Sequence, residues 1–120
     1  MKLIFFSIFC FLLSATACRN PQIASRIPNC IYKEINKKSK DPNWETGSVK
    51  EYLFQNKLVY SFDPDITKIA DGASTIKDAD CNTMCSIGGF AGQAVNQCNG
   101  ENFFKMAVLK RTIWQKSKDR

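Results

Sequence analysis

Four cysteines, Cys30, Cys81, Cys85 and Cys98, stand downstream of an apolar leader, and together they constrain the fold more than any other feature. The leader opens with Met1-Lys2. Leu3 to Leu13 forms an eleven-residue apolar run broken only by Ser7, and Ser14-Ala15-Thr16-Ala17 follows with small residues. A short positive start, an apolar middle and a small-residue end are the layout of a secretory signal peptide. Eleven residues in a helix rise only about 16 Å, well short of the roughly 30 Å hydrocarbon core, so the segment is too short to remain as a span. A buried N-terminal helix is the competing explanation; the run is apolar on every face and is followed by polar residues, which argues against it. Residues 1–17 are therefore assigned as a signal peptide. An exported chain meets an oxidising compartment, where thiols pair.

Cysteine parity then bears on Cys18. Cys10 leaves with the signal, and Cys18, Cys30, Cys81, Cys85 and Cys98 remain, an odd number. Ala15-Thr16-Ala17-Cys18 resembles a bacterial lipobox, with Ala15 where Leu is usual, and an acyl group on Cys18 would leave four cysteines to pair. Residues 18–27 read as a lipidated polar tether, and Cys18 as the lipid attachment site. An acylated cysteine holds a protein on a membrane without a spanning helix. Four cysteines allow three pairings. We favour Cys85–Cys98 with Cys30–Cys81, the second of which would clip a helix to a sheet across a long loop. A metal site is the weaker reading of the same residues. Cys81-x-x-x-Cys85 lacks the paired C-x-x-C spacing, and the chain has no histidine.

Residues 28–115 read as one α+β domain, and residues 116–120 as a charged tail. The spacing of Ile27, Ile31 and Ile35 predicts a helix over Pro28 to Lys38, with Glu34 and Lys38 paired one turn apart. Val49 to Gln55 and Lys57 to Phe62 read as strands joined by a tight turn at Asn56, with Leu58, Tyr60 and Phe62 on one face. Ser74 to Lys77 and Met84 to Gly89 form a second hairpin around Asp78-Ala79-Asp80. Phe103 to Gln115 is expected to be a long central strand. Phe104, Met106, Val108, Thr112 and Trp114 would lie on one face, and Ala107, Leu109 and Ile113 on the other. A helix is its alternative. The expected architecture is one helix packed on a four- to five-stranded, mostly antiparallel sheet, a cystatin-like roll stabilised by disulfides.

Other clusters carry little chemistry. Gly88-Gly89-Phe90-Ala91-Gly92 lacks the Gly-Lys-Ser/Thr ending of a phosphate loop, so Gly88, Gly89 and Gly92 read as turn residues and Phe90 as a core anchor or exposed contact. That loop is a candidate contact site. Asp63, Asp65, Asp71, Asp78 and Asp80 do not alternate as a calcium loop requires, and read as turn residues. The absent histidine excludes Ser-His-Asp and Cys-His catalysis. No cofactor is expected. Lys33, Lys37, Lys38 and Lys40, and Lys110, Arg111, Lys116, Lys118 and Arg120, read as solvated faces or as attraction to anionic headgroups and envelope polymers. Export argues against nucleic acid.

Pro28-Asn29-Cys30-Ile31, then Trp44, Gly47, Val49 and Tyr52, then Val59-Tyr60 and Phe62, Asp78, Cys85, Gly88-Gly89-Phe90, Gly92, Cys98 and Ile113-Trp114 form an ordered series. The series resembles a family of small cysteine-containing domains of unknown function in envelope lipoproteins of Bacteroidota-type bacteria, over about residues 27–115. The resemblance implies an envelope location and no established activity. It departs from the family pattern at residues 63–75, which hold no cysteine, and at Cys81, where a glycine is usual. The expectation is thus a monomeric, non-enzymatic envelope lipoprotein domain, anchored at Cys18, that binds an envelope protein or polymer. A secreted cystatin-like protease inhibitor is the alternative, supported by Gln93-x-Val95 and the late Trp114.

Overall fold

The computed structural model describes residues 23–44, 47–64, 72–88 and 96–116. Helix α1 runs Asn29–Ser39 and buries Ile31 and Ile35. Lys37 and Lys38 occupy its last turn, where cations favour the negative end of the helix dipole. Glu34, expected to partner Lys38, reaches across to Lys77 at 3.5 Å, and the Lys38 ammonium lies 5.2 Å from the centre of the Trp44 ring. A single 3-10 turn, Pro42–Trp44, follows.

Strand β1 (Ser48–Phe54) and β2 (Lys57–Asp63) form a hairpin in which Phe54 opposes Lys57. Gln55 and Asn56 both take positive φ, 51° and 60°, as a two-residue turn matched to strand twist requires. Strands β3 (Ala73–Lys77) and β4 (Thr83–Gly88) make the second hairpin. Two short strands, β5 (Gln97–Cys98) and β6 (Glu101–Asn102), lead into a helical turn, α2 (Phe103–Met106), and then into β7 (Val108–Gln115). The main sheet is five-stranded and antiparallel, in the order β4-β3-β2-β1-β7. The protein is therefore α+β, with one helix on a five-stranded sheet and bridges at Cys30–Cys81 and Cys85–Cys98.

The last segment departs from expectation twice. It is not one strand, because α2 precedes β7: the Asn102 side chain accepts from the Lys105 N–H and starts a helical turn. Nor is it central: among the described residues β7 pairs with β1 alone and forms an edge of the main sheet. The expected face pattern also fails. Val49 opposes Trp114 while Lys50 opposes Thr112, so Ile113 is the extra residue of a bulge. Ile113 and Trp114 consequently enter the same core instead of opposite faces.

Two cores form, one on each side of the sheet. The helix side gathers Ile27, Ile31, Ile35, Trp44, Val49, Tyr60, Phe62, Ile113 and Trp114. Trp44 stacks on Trp114 with ring centres 5.5 Å apart and planes 8° apart. The other side gathers Phe54, Val59, Ile76, Ile87, Cys98 and Phe103. There the Cys85–Cys98 bridge and the α2 turn cover the sheet, and Asn96 links them: its side chain accepts from the Gly88 N–H at 2.8 Å, and its carbonyl accepts from the Phe103 N–H. Two-sided burial explains why β2 shows four consecutive buried residues, Val59 to Phe62. Leu58, expected on one face with Tyr60 and Phe62, is half-exposed where that face runs past the end of the helix-side core. Residues 23–27, expected to be a free polar tether, are packed on the domain: Ile23 and Ile27 are buried and the Ala24 N–H donates to the Ile113 carbonyl.

Candidate ligand cleft

A cleft of about 620 Å³ opens where three segments converge. Arg26-Ile27-Pro28 forms one wall, Lys57 to Tyr60 at the start of β2 forms the floor, and Asp78 to Asp80 with Met84 forms the other wall. Its interior is apolar, supplied by Ile27, Pro28, Leu58, Tyr60 and Met84, and its rim carries Arg26, Lys57, Asp78 and Asp80. Apolar walls with a few charged groups at the mouth are the usual make-up of a ligand site.

Each wall is held by a separate device. Arg111 holds the first. Its guanidinium donates to the Ser25 carbonyl at 2.9 Å and the Arg26 carbonyl at 3.3 Å, and grips Glu51 through Nε at 3.1 Å and Nη2 at 3.4 Å. Glu51 is buried, and a buried carboxylate requires such a partner. The Tyr60 hydroxyl donates to Glu51 as well. Burial, together with the Glu51 charge and that hydrogen bond, pushes the Tyr60 phenol up to about 12, against a smaller opposing pull from Arg111. Arg111, expected on a solvated basic face, keeps 36% of its side chain exposed, but two of its four hydrogen bonds go to the backbone at and beside the cleft wall and the others close a part-buried ion pair with Glu51.

The second wall is held by the Cys30–Cys81 bridge, which joins the first turn of α1 to the β3–β4 connection with Cα atoms 5.9 Å apart. Asp78 shapes that connection, as its reading as a turn residue requires. Its carboxylate accepts from the backbone N–H groups of Asp80 and Asn82, each at 2.9 Å, and from Asn82 Nδ2 at 3.2 Å. Desolvation would raise its proton affinity, but these hydrogen bonds outweigh it and hold the carboxyl below its ordinary range. Cys81 sits at φ 66° just beyond.

Of the residues singled out in the sequence, Cys30 and Cys81 flank the cleft, while Cys85 and Cys98 pair on the opposite face. Gly88 ends β4 at φ +90° and does not line the cleft. Gly89, Phe90, Gly92, Cys18, the Gln93-x-Val95 segment and the 117–120 part of the charged tail lie outside the described residues. Arg26, Tyr60, Met84, Glu51 and Arg111 were missed as site residues. A signal existed for one of them: Glu51 lies between Val49 and Leu53, at the inward position of a strand, which marks an acid that must be buried with a partner. Among the described residues no group of three or more Cys, Asp or Glu is placed to hold a metal ion.

Residues 33–116 match the family described as a domain of unknown function (DUF6970). The chain belongs to this family. The DUF6970 match takes in the sheet, the cleft floor on β2, the wall formed by the β3–β4 connection, and Arg111; it begins three residues after Cys30, so the Arg26-Ile27-Pro28 wall precedes it. No curated protein matches the chain, and no solved structure does. Two disulfides point to an oxidising environment for the DUF6970 domain. No helix among the described residues is long and apolar enough to cross a membrane.

Proposed function

We propose that the protein is an exported envelope lipoprotein, anchored through an acyl group on Cys18, whose DUF6970 domain is a non-enzymatic binding module. Its ligand would be a segment of an envelope protein or polymer seated in the cleft between Arg26, Leu58 and Asp78. The cleft carries this reading, because its two walls are fixed independently, by a disulfide and by an arginine clamp, before any ligand arrives. Pre-formed walls spare a ligand the cost of ordering them. A binding role suits the chemistry at the rim. Asp78, one of the two acids that line the cleft, already accepts three hydrogen bonds from its own turn, and the chain has no histidine to act as a base near neutral pH. Two bridges take up Cys30, Cys81, Cys85 and Cys98, and acylation of Cys18 would account for the one other cysteine after the leader.

A photoreactive side chain at Leu58, half-exposed on the cleft floor, tests the binding role in intact cells. A discrete crosslinked adduct at Leu58, with no such adduct from the same probe at Ser86 on β4, is the expected result. Equal labelling at both positions, or at neither, would refute the cleft as the ligand site.

A further inference from the structure

We propose that the turn into β7, Phe104 to Lys110, is a membrane-contact surface that lays the domain on an anionic phospholipid bilayer. Phe104, Met106, Val108 and Leu109 are each 53–55% exposed. Single exposed apolar side chains are ordinary, but four large ones between residues 104 and 109 leave a concentrated apolar edge in water. Folding does not require this placement, because Phe103 alone of α2 enters the core beneath. Lys105 and Lys110 stand among the four, and residues 103–116 hold Lys105, Lys110, Arg111 and Lys116 with no acid. Apolar side chains interleaved with lysines suit the headgroup boundary: the apolar parts enter the acyl region and the ammonium groups meet phosphates.

The route of the chain points the same way. Ala24 hydrogen-bonds to Ile113, and Arg111 holds Ser25 and Arg26, so the N-terminal segment joins the domain along β7. Five residue steps separate Cys18 from Ile23, a reach of at most about 18 Å. If Cys18 is acylated, β7 cannot stand far from the bilayer; this step alone rests on the proposed anchor. A second copy of the chain is the rival occupant of the edge. Segment 23–25 already covers the strand at Ile113, and Lys110 stands on the open part of it, an arrangement that discourages strand addition.

The test uses the chain from residue 18 onward with Cys18→Ser and therefore without an acyl group. It is sedimented with vesicles of phosphatidylethanolamine and phosphatidylglycerol. The chain should co-sediment, and added salt should weaken the binding. Phe104→Ser with Leu109→Ser should lower vesicle partitioning by about tenfold or more, and Lys105→Gln with Lys110→Gln should abolish the preference for phosphatidylglycerol. Circular dichroism should be unchanged in both variants. Absence of sedimentation overturns the proposal, as does undiminished binding by the serine variant. A wild-type dimer in light scattering that the serine variant dissolves also overturns it, by assigning the edge to self-association. Because no acyl group is present, these results do not depend on the state of Cys18, and the anchor is judged separately by the mass of the natural N-terminus.

Discussion

Replacing Cys30 and Cys81 together by serine isolates the contribution of the bridge that holds the cleft wall. The two residues lie 51 apart in sequence. Loop-closure entropy for a loop of that length corresponds to about 4 kcal/mol, against about 3 kcal/mol for the 13-residue separation of Cys85–Cys98. Cys30 and Cys81 are both only half-buried, so the exchange removes little packing; Cys98 is fully buried, and its loss would mix a cavity with the entropy. A domain spanning residues 23–116 has a total stability of about 5–14 kcal/mol. The double variant should therefore lose about a third or more of its stability. At about 4–8 °C per kcal/mol, its thermal midpoint should fall by about 15–30 °C. Thermal unfolding followed by circular dichroism, in oxidising buffer, measures the shift. A fall of less than about 5 °C would refute the loop argument, and so would a double variant that loses its sheet signal at low temperature. The first result would mean an unfolded chain already held together near these residues, and the second that the bridge dictates the fold instead of reinforcing it.

Two further perturbations probe the packing and the surroundings of the buried Glu51 carboxylate. A Cβ at Gly47 would lie 2.6 Å from Cδ2 and 2.7 Å from Cε3 of Trp44, whose ring is stacked on Trp114 and cannot withdraw. Gly47→Ala should cost about 1–3 kcal/mol in urea unfolding, and a neutral result would show that the indole pair shifts freely. Tyr60 keeps its proton to about pH 12 when folded but to about 10 when unfolded. The unfolded chain therefore loses its proton first, and stability should fall as pH rises from about 10 to 12 and be unaffected by this group below that window. Tyr60→Phe should be less stable at pH 7, having left Glu51 with Arg111 alone as its donor, and should show a shallower alkaline decline; an unchanged decline would sink the assignment.

The helix and both hairpins were legible because their signals are local. Ile27, Ile31 and Ile35 mark a helical stripe, Asn56 accepts the positive φ of a tight turn, and Asp78 supplies its own turn with hydrogen bonds. The final segment was less legible, because its determinants are not local. Apolar residues on both parities of Phe103 to Gln115 suggested a strand buried on two faces. In the structure the apolar density has three separate causes: Phe103 covers the far side of the sheet, Ile113 and Trp114 share one face through a bulge, and Phe104, Met106, Val108 and Leu109 stay outside both cores. Asn102 was the available sign of the helical turn. The cleft was least legible of all. Its residues come from three distant segments, and only tertiary structure brings Arg26, Leu58 and Asp78 together. Glu51 alone announced itself, as an acid at an inward strand position, and following it leads to Arg111 and from there to the wall of the cleft.

An acyl anchor and two disulfides are proposed to account for the cysteines after the leader. Intact-mass analysis of the protein purified from membranes, without reduction, tests this most directly. The mature chain should begin at Cys18, carry the added mass of a diacylglyceryl group on that residue, and hold no free thiol among Cys30, Cys81, Cys85 and Cys98. A chain that begins elsewhere, or one with an unmodified Cys18, would contradict the proposal.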